Sequence, residues 1–127
     1  MKHPFAELID LHCEQATAGA STMTLVVAPQ HLNPHEVVHG AVLYALADTG
    51  MGTALYPTLE AGEICATIEI KMNYFKPVFE GQVVCRTTLL NRGRTVANLE
   101  SRLYVGEVLV GMANGNYAIF RRSRAEG

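Results

Sequence analysis

The sequence predicts an α+β fold in which an antiparallel sheet wraps around one long helix. Residues 41–56 read AVLYALADTGMGTALY, which is apolar on nearly every side and typical of a helix that is buried all round. Four strand-like segments joined by short turns follow, and short hairpins indicate antiparallel pairing. A single apolar helix needs burial over most of its surface, and a curved sheet can provide it.

The predicted elements follow one another without an internal repeat or a linker. Pro4 favours the start of a first helix with apolar residues at helical spacing, and Gly19 favours its end. Pro57 lies just beyond the long helix. In chain order we predict helix 4–18, strand 22–28, loop 29–38, helix 40–56, strands 64–75, 82–90, 95–104 and 108–120, and a frayed polar tail 121–127.

The composition predicts one globular domain covering residues 1–127. The net charge is −2 and no basic stretch is long enough to attract a polyanion, which argues against nucleic acid as a partner. Only 17% of the residues are charged, so we expect some surface to be buried against another subunit. The N-terminus lacks the apolar core of a signal peptide, and the longest apolar run is too short to span a bilayer. We therefore predict a cytoplasmic protein without a membrane partner.

The three cysteines, Cys13, Cys65 and Cys85, are odd in number and widely spaced, and no C-x-x-C occurs. This pattern is typical of reduced, mostly buried thiols. None lies in a recognisable nucleophile context, so no catalytic cysteine is assigned.

Asp48 is the ionised residue within the long apolar helix. Burying a lone carboxylate is costly unless it is paired, neutralised or used in chemistry, which makes Asp48 the first functional candidate. The structural alternative is an acid hydrogen-bonded to Thr49, to Thr67 or to a backbone amide. The segment before the helix, residues 33–40 with the sequence NPHEVVHG, supplies the other polar candidates.

The order of the elements, with Asn33, then His39-Gly40 and then residues 46–48 (LAD), resembles the hotdog fold. More narrowly, it resembles the acyl-CoA thioesterases of the phenylacetic-acid-degradation (PaaI) type. Residues 66–77, ATIEIKMNYFKP, resemble the family's strand with its Asn-aromatic-x-x-Pro end, and residues 93–97, GRTVA, resemble its central hairpin. The resemblance covers about residues 25–120.

Two positions depart from the family pattern. Ala41 stands where the second Gly of His-Gly-Gly is usual, and Ala suits the start of a helix. Glu36 stands where the family usually has Gly, and its bulk and charge beside the presumed substrate entrance could alter substrate choice.

The resemblance implies a hydrolase in which Asp48 is the general base or the nucleophile, and the backbone N–H of Gly40 donates to the thioester oxygen. A helix start offers such an unpaired donor, and glycine permits close approach. Asn33 would orient the water or the carboxylate, and His39 would position the thioester or the loop. The alternatives are a tight loop-to-helix junction at Gly40, an Asn-Pro turn at Asn33 and a helix-capping histidine at position 39.

Thr67 matches a Ser/Thr position that hydrogen-bonds near the carboxylate in the family. Simple alternation along the strand places Thr67 with Glu69 and Lys71 on the more polar face. That placement argues against a site role unless Thr67 lies at a subunit boundary, so both interpretations stay open.

The spacing of Gly40 and Asp48 predicts a site shared between two chains. The two residues are eight apart, which on one helix is about 12 Å. One thioester carbon must lie close to both groups, and a single helix does not allow this. Two antiparallel copies do, so we expect a homodimer, with dimer and tetramer both open.

Coenzyme A carries phosphates that cationic side chains would bind. Arg92 and Arg94 on a predicted hairpin, with Lys76, are the first candidates, and solvated surface charge is the alternative. A second candidate cluster consists of Arg121, Arg122 and Arg124. Candidate walls of an acyl tunnel are Tyr44, Met51 and Leu55, for which core packing is the alternative.

No metal or other cofactor is predicted. His31, His35 and His39 have a spacing that would line up three imidazoles on a helix, but Pro34 interrupts that helix. Two other function classes stay open. His39 with Asp48 would also suit a hotdog hydratase or dehydratase, and Glu36 makes a non-catalytic acyl-CoA binder conceivable.

Overall fold

The computed structural model describes residues 2–122, which form two α-helices and six β-strands. Helix α1 spans Pro4–Ile9 and helix α2 spans Gly40–Leu55. Short 3₁₀ turns at Pro29–His31 and Tyr56–Thr58 precede and follow α2. The strands are β1 Leu11–Thr17, β2 Ala20–Val26, β3 Glu63–Tyr74, β4 Gln82–Arg92, β5 Val96–Val105 and β6 Val108–Arg121.

The six strands form one antiparallel sheet in the order β1-β2-β4-β5-β6-β3. Helix α2 contacts every strand, so the sheet curves around it. This confirms the predicted hotdog architecture. No helix within residues 2–122 has the length and apolarity needed to cross a membrane.

The core lies between α2 and the sheet. Leu43, Leu46, Met51 and Leu55 of α2 are at most 3% exposed. They pack against buried strand residues in two neighbouring clusters, one at each half of the helix. Burying these side chains fixes the helix on the sheet and thereby fixes the position of Asp48.

The face of α2 that points away from the sheet is open in the single chain, so the sheet alone does not provide the predicted burial all round. Apart from Asp48, this face carries small, apolar or uncharged side chains, which is why the sequence pattern reads as fully buried. The exposed and half-buried residues of α2 are Gly40, Ala41, Val42, Tyr44, Asp48, Thr49, Gly52 and Thr53.

The predicted helix 4–18 is wrong beyond Ile9, because the chain continues as β1. Asp10 ends α1 with a left-handed backbone, φ 57°. The next residues pair with β2, and these interstrand hydrogen bonds outweigh the helical spacing of a few apolar side chains. Gly19, with φ 89°, lies in the turn between β1 and β2 and is not a helix stop.

Strand β3 does not alternate evenly, which corrects the predicted orientation of Thr67. Its pairing with β6 shifts between Thr67 and Glu69, so Ile68 is the extra residue of a β-bulge. Cys65 before the bulge and Ile70 after it both pack against the core, although they differ in parity. Thr67 therefore points to α2 and not to the outer polar face.

The thiols of Cys13, Cys65 and Cys85 are free, but only Cys85 is fully buried, and Cys13 is exposed. The expectation of mostly buried thiols is therefore wrong for Cys13. Burial raises the pKa of the Cys85 thiol to about 11, which keeps it protonated. The predicted basic residue Arg124 lies outside the described residues.

Candidate active site

Asp48 lies midway along α2, where two strands of the sheet supply its hydrogen-bond partners. Thr67 Oγ1 on β3 donates to Asp48 Oδ1 over 2.8 Å. The Tyr117 hydroxyl on β6 contacts the same Oδ1 and lies 2.8 Å from the backbone oxygen of Asp48. Thr67 and Tyr117 are directly opposite each other in the β3–β6 pair, so their side chains share one face and converge on the carboxylate.

The two carboxylate oxygens of Asp48 have different surroundings. Both hydroxyl groups contact Oδ1, whereas no group among residues 2–122 hydrogen-bonds to Oδ2. Every fully buried side-chain oxygen in this part of the chain has a partner, so Oδ2 is within reach of solvent. The structural alternative, an acid satisfied by Thr67, therefore holds for one oxygen only.

Among residues 2–122, two titratable side chains, Cys65 and Tyr117, face Asp48, and both keep their protons. Burial and, to a smaller extent, the charge of Asp48 raise the pKa of the Cys65 thiol. Burial raises the pKa of the Tyr117 phenol far above its ordinary value, and the hydrogen bond to Asp48 acts in the same direction. Neither group is therefore a base or an anionic nucleophile at neutral pH, which leaves that role to the carboxylate.

Helix α2 starts at Gly40, with His39 as its N-cap. The Nδ1 atom of His39 accepts from the Ala41 N–H over 2.9 Å, and its backbone oxygen accepts from the Val42 N–H over 2.9 Å. The Gly40 N–H has no hydrogen-bond acceptor within residues 2–122. It is therefore an open donor at the positive end of the helix dipole.

Tyr74 on β3 makes the close approach that glycine permits at position 40. Its hydroxyl donates to the Gly40 backbone oxygen over 2.9 Å, and a Cβ at position 40 would lie 3.2 Å from the Tyr74 ring and hydroxyl. Burial raises the pKa of Tyr74, so the hydroxyl remains a donor. The glycine is thus explained by packing within the chain, while its N–H stays open toward the outside.

Asn33 shapes the loop before α2. Its Oδ1 accepts from the backbone N–H of His35 over 2.8 Å and of Val37 over 3.2 Å. These contacts form the turn that the sequence offered as the alternative to a catalytic role. Oδ1 is therefore engaged, and only the Nδ2 group is left to contact a substrate or a water.

Glu36 completes this loop with a left-handed backbone, φ 63°. Its N–H donates to the backbone oxygen of Asn33 over 2.9 Å. A left-handed backbone is unfavourable for a residue with a Cβ and free for glycine. This explains why the family that the sequence resembles usually has Gly here.

The histidine triad considered from sequence is not assembled as a metal site. His31 is 1% exposed; its Nδ1 accepts from the Ala28 N–H over 2.9 Å, and its Nε2 lies 2.6 Å from the Ile9 backbone oxygen. Both ring nitrogens are therefore used to hold the loop. Across residues 2–122, no group of three His, Cys, Asp or Glu side chains is placed to hold a metal ion.

Two clefts flank Asp48, one at each end of α2. The N-terminal cleft has a volume of about 310 Å³ and is mostly apolar. The charged cleft has a volume of about 760 Å³. The N-terminal cleft is lined by Val37, Val38, Gly40, Leu43, Tyr74, Phe75, Lys76, Pro77 and Val78. The charged cleft is lined by Thr58, Glu60, Glu63, Arg92, Arg94, Thr95, Ile119, Phe120 and Arg121.

Within one chain the three predicted phosphate-binding residues do not meet. Lys76 lies in the N-terminal cleft, whereas Arg92 and Arg94 lie in the charged cleft. Arg121, from the alternative cluster, joins the two hairpin arginines there. The structure therefore combines parts of two clusters that the sequence kept separate.

The arginines of the charged cleft differ in how they are held. Arg92 forms an ion pair with Glu63 over 2.9 Å and also donates to backbone oxygens. The pKa of Glu63 lies below its ordinary value, because its carboxylate accepts from the Glu60 N–H and from Arg92. Arg121 pairs with Glu60 over 3.3 Å. The exposed Arg94 has no ion-pair partner within residues 2–122 and is the cation most available to a phosphate.

The predicted tunnel walls are corrected at two positions. Met51 and Leu55 are 0% exposed and belong to the core, so they do not line an open tunnel. Tyr44 is half-buried on the open face of α2 and remains able to contact a ligand.

Sequence reasoning missed Tyr117 and Tyr74, the two tyrosines whose hydroxyl groups hydrogen-bond to Asp48 and Gly40 of α2. A signal for Tyr117 does exist. It follows a β6 run whose inward residues, Gly111, Ala113 and Gly115, are small, so a large polar side chain in the next inward position needs a buried acceptor. Asp48 is such an acceptor, but which residue of β6 lies level with it depends on the pairing register of the strands.

These observations define a hotdog-fold protein whose central helix presents a carboxylate in its middle and an open amide at its start. The chain belongs to the thioesterase superfamily, which matches residues 35–111.

Comparisons with individual proteins agree with this assignment. The chain is similar to a protein of Archaeoglobus fulgidus named "Putative esterase", at 29% identity over 92 residues, covering 72% of this chain and 58% of the relative. The chain thus spans little more than half the length of that relative. Its structure resembles conserved protein PA5202 of Pseudomonas aeruginosa, with a TM-score of 0.87, 28% identity and coverage of 94% and 96% of the two chains. It also resembles a mutant of the phenylacetic acid degradation protein PaaI of Thermus thermophilus, with a TM-score of 0.85, 26% identity and coverage of 91% and 98%.

Proposed function

We propose that this protein is a metal-independent acyl-CoA thioesterase of the PaaI type that acts in the cytoplasm. One observation carries the proposal. Asp48, on the central helix of a chain of the thioesterase superfamily, is held at one carboxylate oxygen and is reachable at the other. The acyl or aryl group of the substrate is left open.

The proposed reaction splits the C–S bond of a thioester with water. As a general base, Asp48 takes a proton from a water molecule while the water oxygen bonds to the carbonyl carbon. As a nucleophile, Asp48 forms that bond itself, and water then cleaves the resulting anhydride. In both routes the carbonyl electrons move onto the oxygen, which accepts from the Gly40 N–H. Collapse then expels the CoA thiolate, which takes up a proton.

The loop before α2 would position the substrate. His39 uses Nδ1 to cap the helix, so the neutral ring carries its proton on Nε2 and offers it to the thioester. Asn33 keeps Nδ2 free for the same purpose. Thr67 supports Asp48 by donating a hydrogen bond to its Oδ1 atom.

A homodimer would bring the acid and the amide together. Strand β3 is an edge of the sheet and offers unpaired backbone groups to a second copy. If two β3 strands pair antiparallel, the Thr67 end of one lies beside the Tyr74 end of the other. Thr67 contacts Asp48 and Tyr74 contacts Gly40, so this pairing sets the acid of one protomer against the helix start of its partner.

The same pairing would assemble the predicted cations. Lys76 follows the end of β3, and Glu63, at the start of β3, lies in the charged cleft with Arg92 and Arg94. Antiparallel pairing of two β3 strands therefore directs the Lys76 loop of one protomer toward the arginines of the other. Dimers could pair further into a tetramer through the open face of α2.

The decisive experiment is a panel of acyl- and aryl-CoA esters, with thiol release followed by a thiol reagent. Wild type is expected to turn over at least one ester, and Asp48→Asn to lose about 10²-fold or more in kcat, the scale of losing a general base or nucleophile. Glu107→Gln makes the same change at an exposed turn and should keep wild-type activity.

Two outcomes of this panel point to another function. Hydration of an enoyl-CoA without thiol release would indicate the hydratase class. Tight binding of the esters without any turnover, unchanged in Asp48→Asn, would indicate a non-catalytic acyl-CoA binder.

A further inference from the structure

We propose that Tyr117 is a positioning residue that, together with Thr67, fixes Asp48 Oδ1, so that Oδ2 is the oxygen that acts on the substrate. This inference rests on the proposed hydrolase function, because it assigns the reacting atom of that reaction. It also names a residue outside the helix and the preceding loop as part of the machinery.

Thr67 and Tyr117, which together hold Asp48 Oδ1 and which we call the clamp, form a cross-strand pair. Thr67 and Tyr117 face each other across β3 and β6, and the bulge at Ile68 begins immediately after Thr67. Cys65 precedes the bulge and Ile70 follows it, and both pack against the core beneath α2. Without the bulge, these two residues would lie on opposite faces of β3. The bulge thus allows β3 to contribute a hydroxyl at Asp48 and still cover the helix further along.

Two donors on one oxygen remove the rotational freedom of a carboxylate. Thr67 alone would hold Oδ1 less firmly, since Thr67 is exposed and water can compete with its hydroxyl as a donor. Tyr117 is 3% exposed, and it also contacts the backbone oxygen of Asp48 over 2.8 Å. It therefore ties both the carboxylate and the helix to β6 with a donor that solvent cannot substitute.

The tyrosine of the clamp keeps its proton at neutral pH. The titratable groups that face Asp48 are Tyr117 from β6 and Cys65 from β3, and the pKa of each is raised by burial. Tyr117 therefore remains a donor and does not exchange roles with Asp48. Oδ2, which has no hydrogen-bond partner within residues 2–122, is left to act on the substrate.

Kinetics of three variants and one control variant test the inference in the full chain. Tyr117→Phe keeps the ring and should lower kcat about 10-fold with little change in KM, because a hydrogen bond to a charged group is lost at the reacting residue. Thr67→Val should act similarly. The double variant should lose more than the product of the two single losses, since either donor alone still holds Oδ1. Tyr104→Phe, the same change on β5, should behave as wild type.

An NMR spectrum of the free protein provides a readout that does not need activity. The ¹³Cγ signal of Asp48 should be displaced in Tyr117→Phe relative to wild type, because the carboxylate has lost a hydrogen-bond donor. Tyr104→Phe should leave this signal unchanged.

The outcomes separate the two proposals. If Asp48→Asn is inactive but Tyr117→Phe keeps the wild-type kcat, the positioning role is overturned while the hydrolase function stands. If no ester is turned over, the hydrolase function fails. The ¹³Cγ signal of Asp48 then decides the clamp: a signal displaced in Tyr117→Phe but not in Tyr104→Phe supports it, and a signal unchanged in Tyr117→Phe overturns it.

Discussion

The clefts at the two ends of α2 differ in chemistry, as do the two halves of the proposed acyl-CoA substrate. The N-terminal cleft combines Leu43, Tyr74 and Val78 with an open backbone N–H at Gly40. The charged cleft combines three arginines with two glutamates and a half-exposed Phe120. One cleft therefore suits an apolar group attached to a carbonyl, and the other suits phosphates and a nucleotide base.

In a single chain these clefts are separated by the length of α2, so neither explains function alone. Antiparallel pairing of two chains through β3 would set the N-terminal cleft of one beside the charged cleft of the other. Under the proposed function, the substrate would then run from one protomer to the next, past Asp48. Each of the following variants tests one end of that arrangement.

The largest effect in this comparison is expected from removing the amide of the N-terminal cleft. Gly40 is the first helical residue, where proline is tolerated, and His39 has the extended backbone that precedes proline. Gly40→Pro deletes the N–H and should lower kcat about 10²-fold, the scale of one oxyanion donor. Gly40→Ala adds the same Cβ against Tyr74 but keeps the N–H, so it should retain most of the activity.

Mixing two inactive variants checks whether the site is shared. In a hybrid of an Asp48→Asn chain and a Gly40→Pro chain, one of the two sites combines the intact acid with the intact amide. Random exchange of subunits should therefore restore about a quarter of the wild-type activity. No recovery after verified exchange would place both groups of a site in one chain and contradict the shared arrangement.

A smaller effect is expected at the charged cleft, on KM and not on kcat. Arg94 lacks an ion-pair partner within residues 2–122, so Arg94→Ala should raise KM for an acyl-CoA about 10-fold through loss of a charge-assisted contact. The N-acetylcysteamine thioester of the same acyl group carries no phosphate, and its KM should not change.

Arg92→Ala is the matched variant for this prediction. It breaks the ion pair with Glu63 and the contacts to the chain, so its effect should be on stability. An unchanged KM for the CoA ester in Arg94→Ala would indicate that Arg94 is a solvated surface charge and does not bind CoA.

The two ends of α2 also differ in how far the sequence predicts them. The start of the helix depends on neighbouring residues: Gly40 and His39 in the cap, and Asn33 in the turn before it. Contacts within a few residues leave a local pattern, and the order of these residues indicated both the helix start and the candidates.

The middle of the helix depends on residues far away in the chain. Tyr117 is brought to Asp48 by the register of β6, and Thr67 by a bulge that reverses the faces of β3. A one-residue change in register moves a side chain to the other face, and the amino-acid sequence of β3 carries no turn residue that marks the bulge. The pattern therefore predicted Asp48 but placed Thr67 on the wrong face.

The smallest expected effect concerns the loop that borders the N-terminal cleft, and it is one of stability. Glu36 holds a left-handed backbone at a cost that glycine avoids, whereas glycine adds freedom to the unfolded chain. The cost of the left-handed backbone is the larger of these two effects. Glu36→Gly should therefore raise the free energy of unfolding, measured in urea, by about 0.5–1 kcal/mol. Glu107→Gly removes the same charge at an exposed turn without a left-handed backbone, and it should destabilise the protein by a similar amount. If Glu36→Gly also leaves kcat and KM unchanged, Glu36 acts on the loop alone. If KM for the acyl-CoA changes while stability does not, its side chain contacts the substrate at the entrance of this cleft.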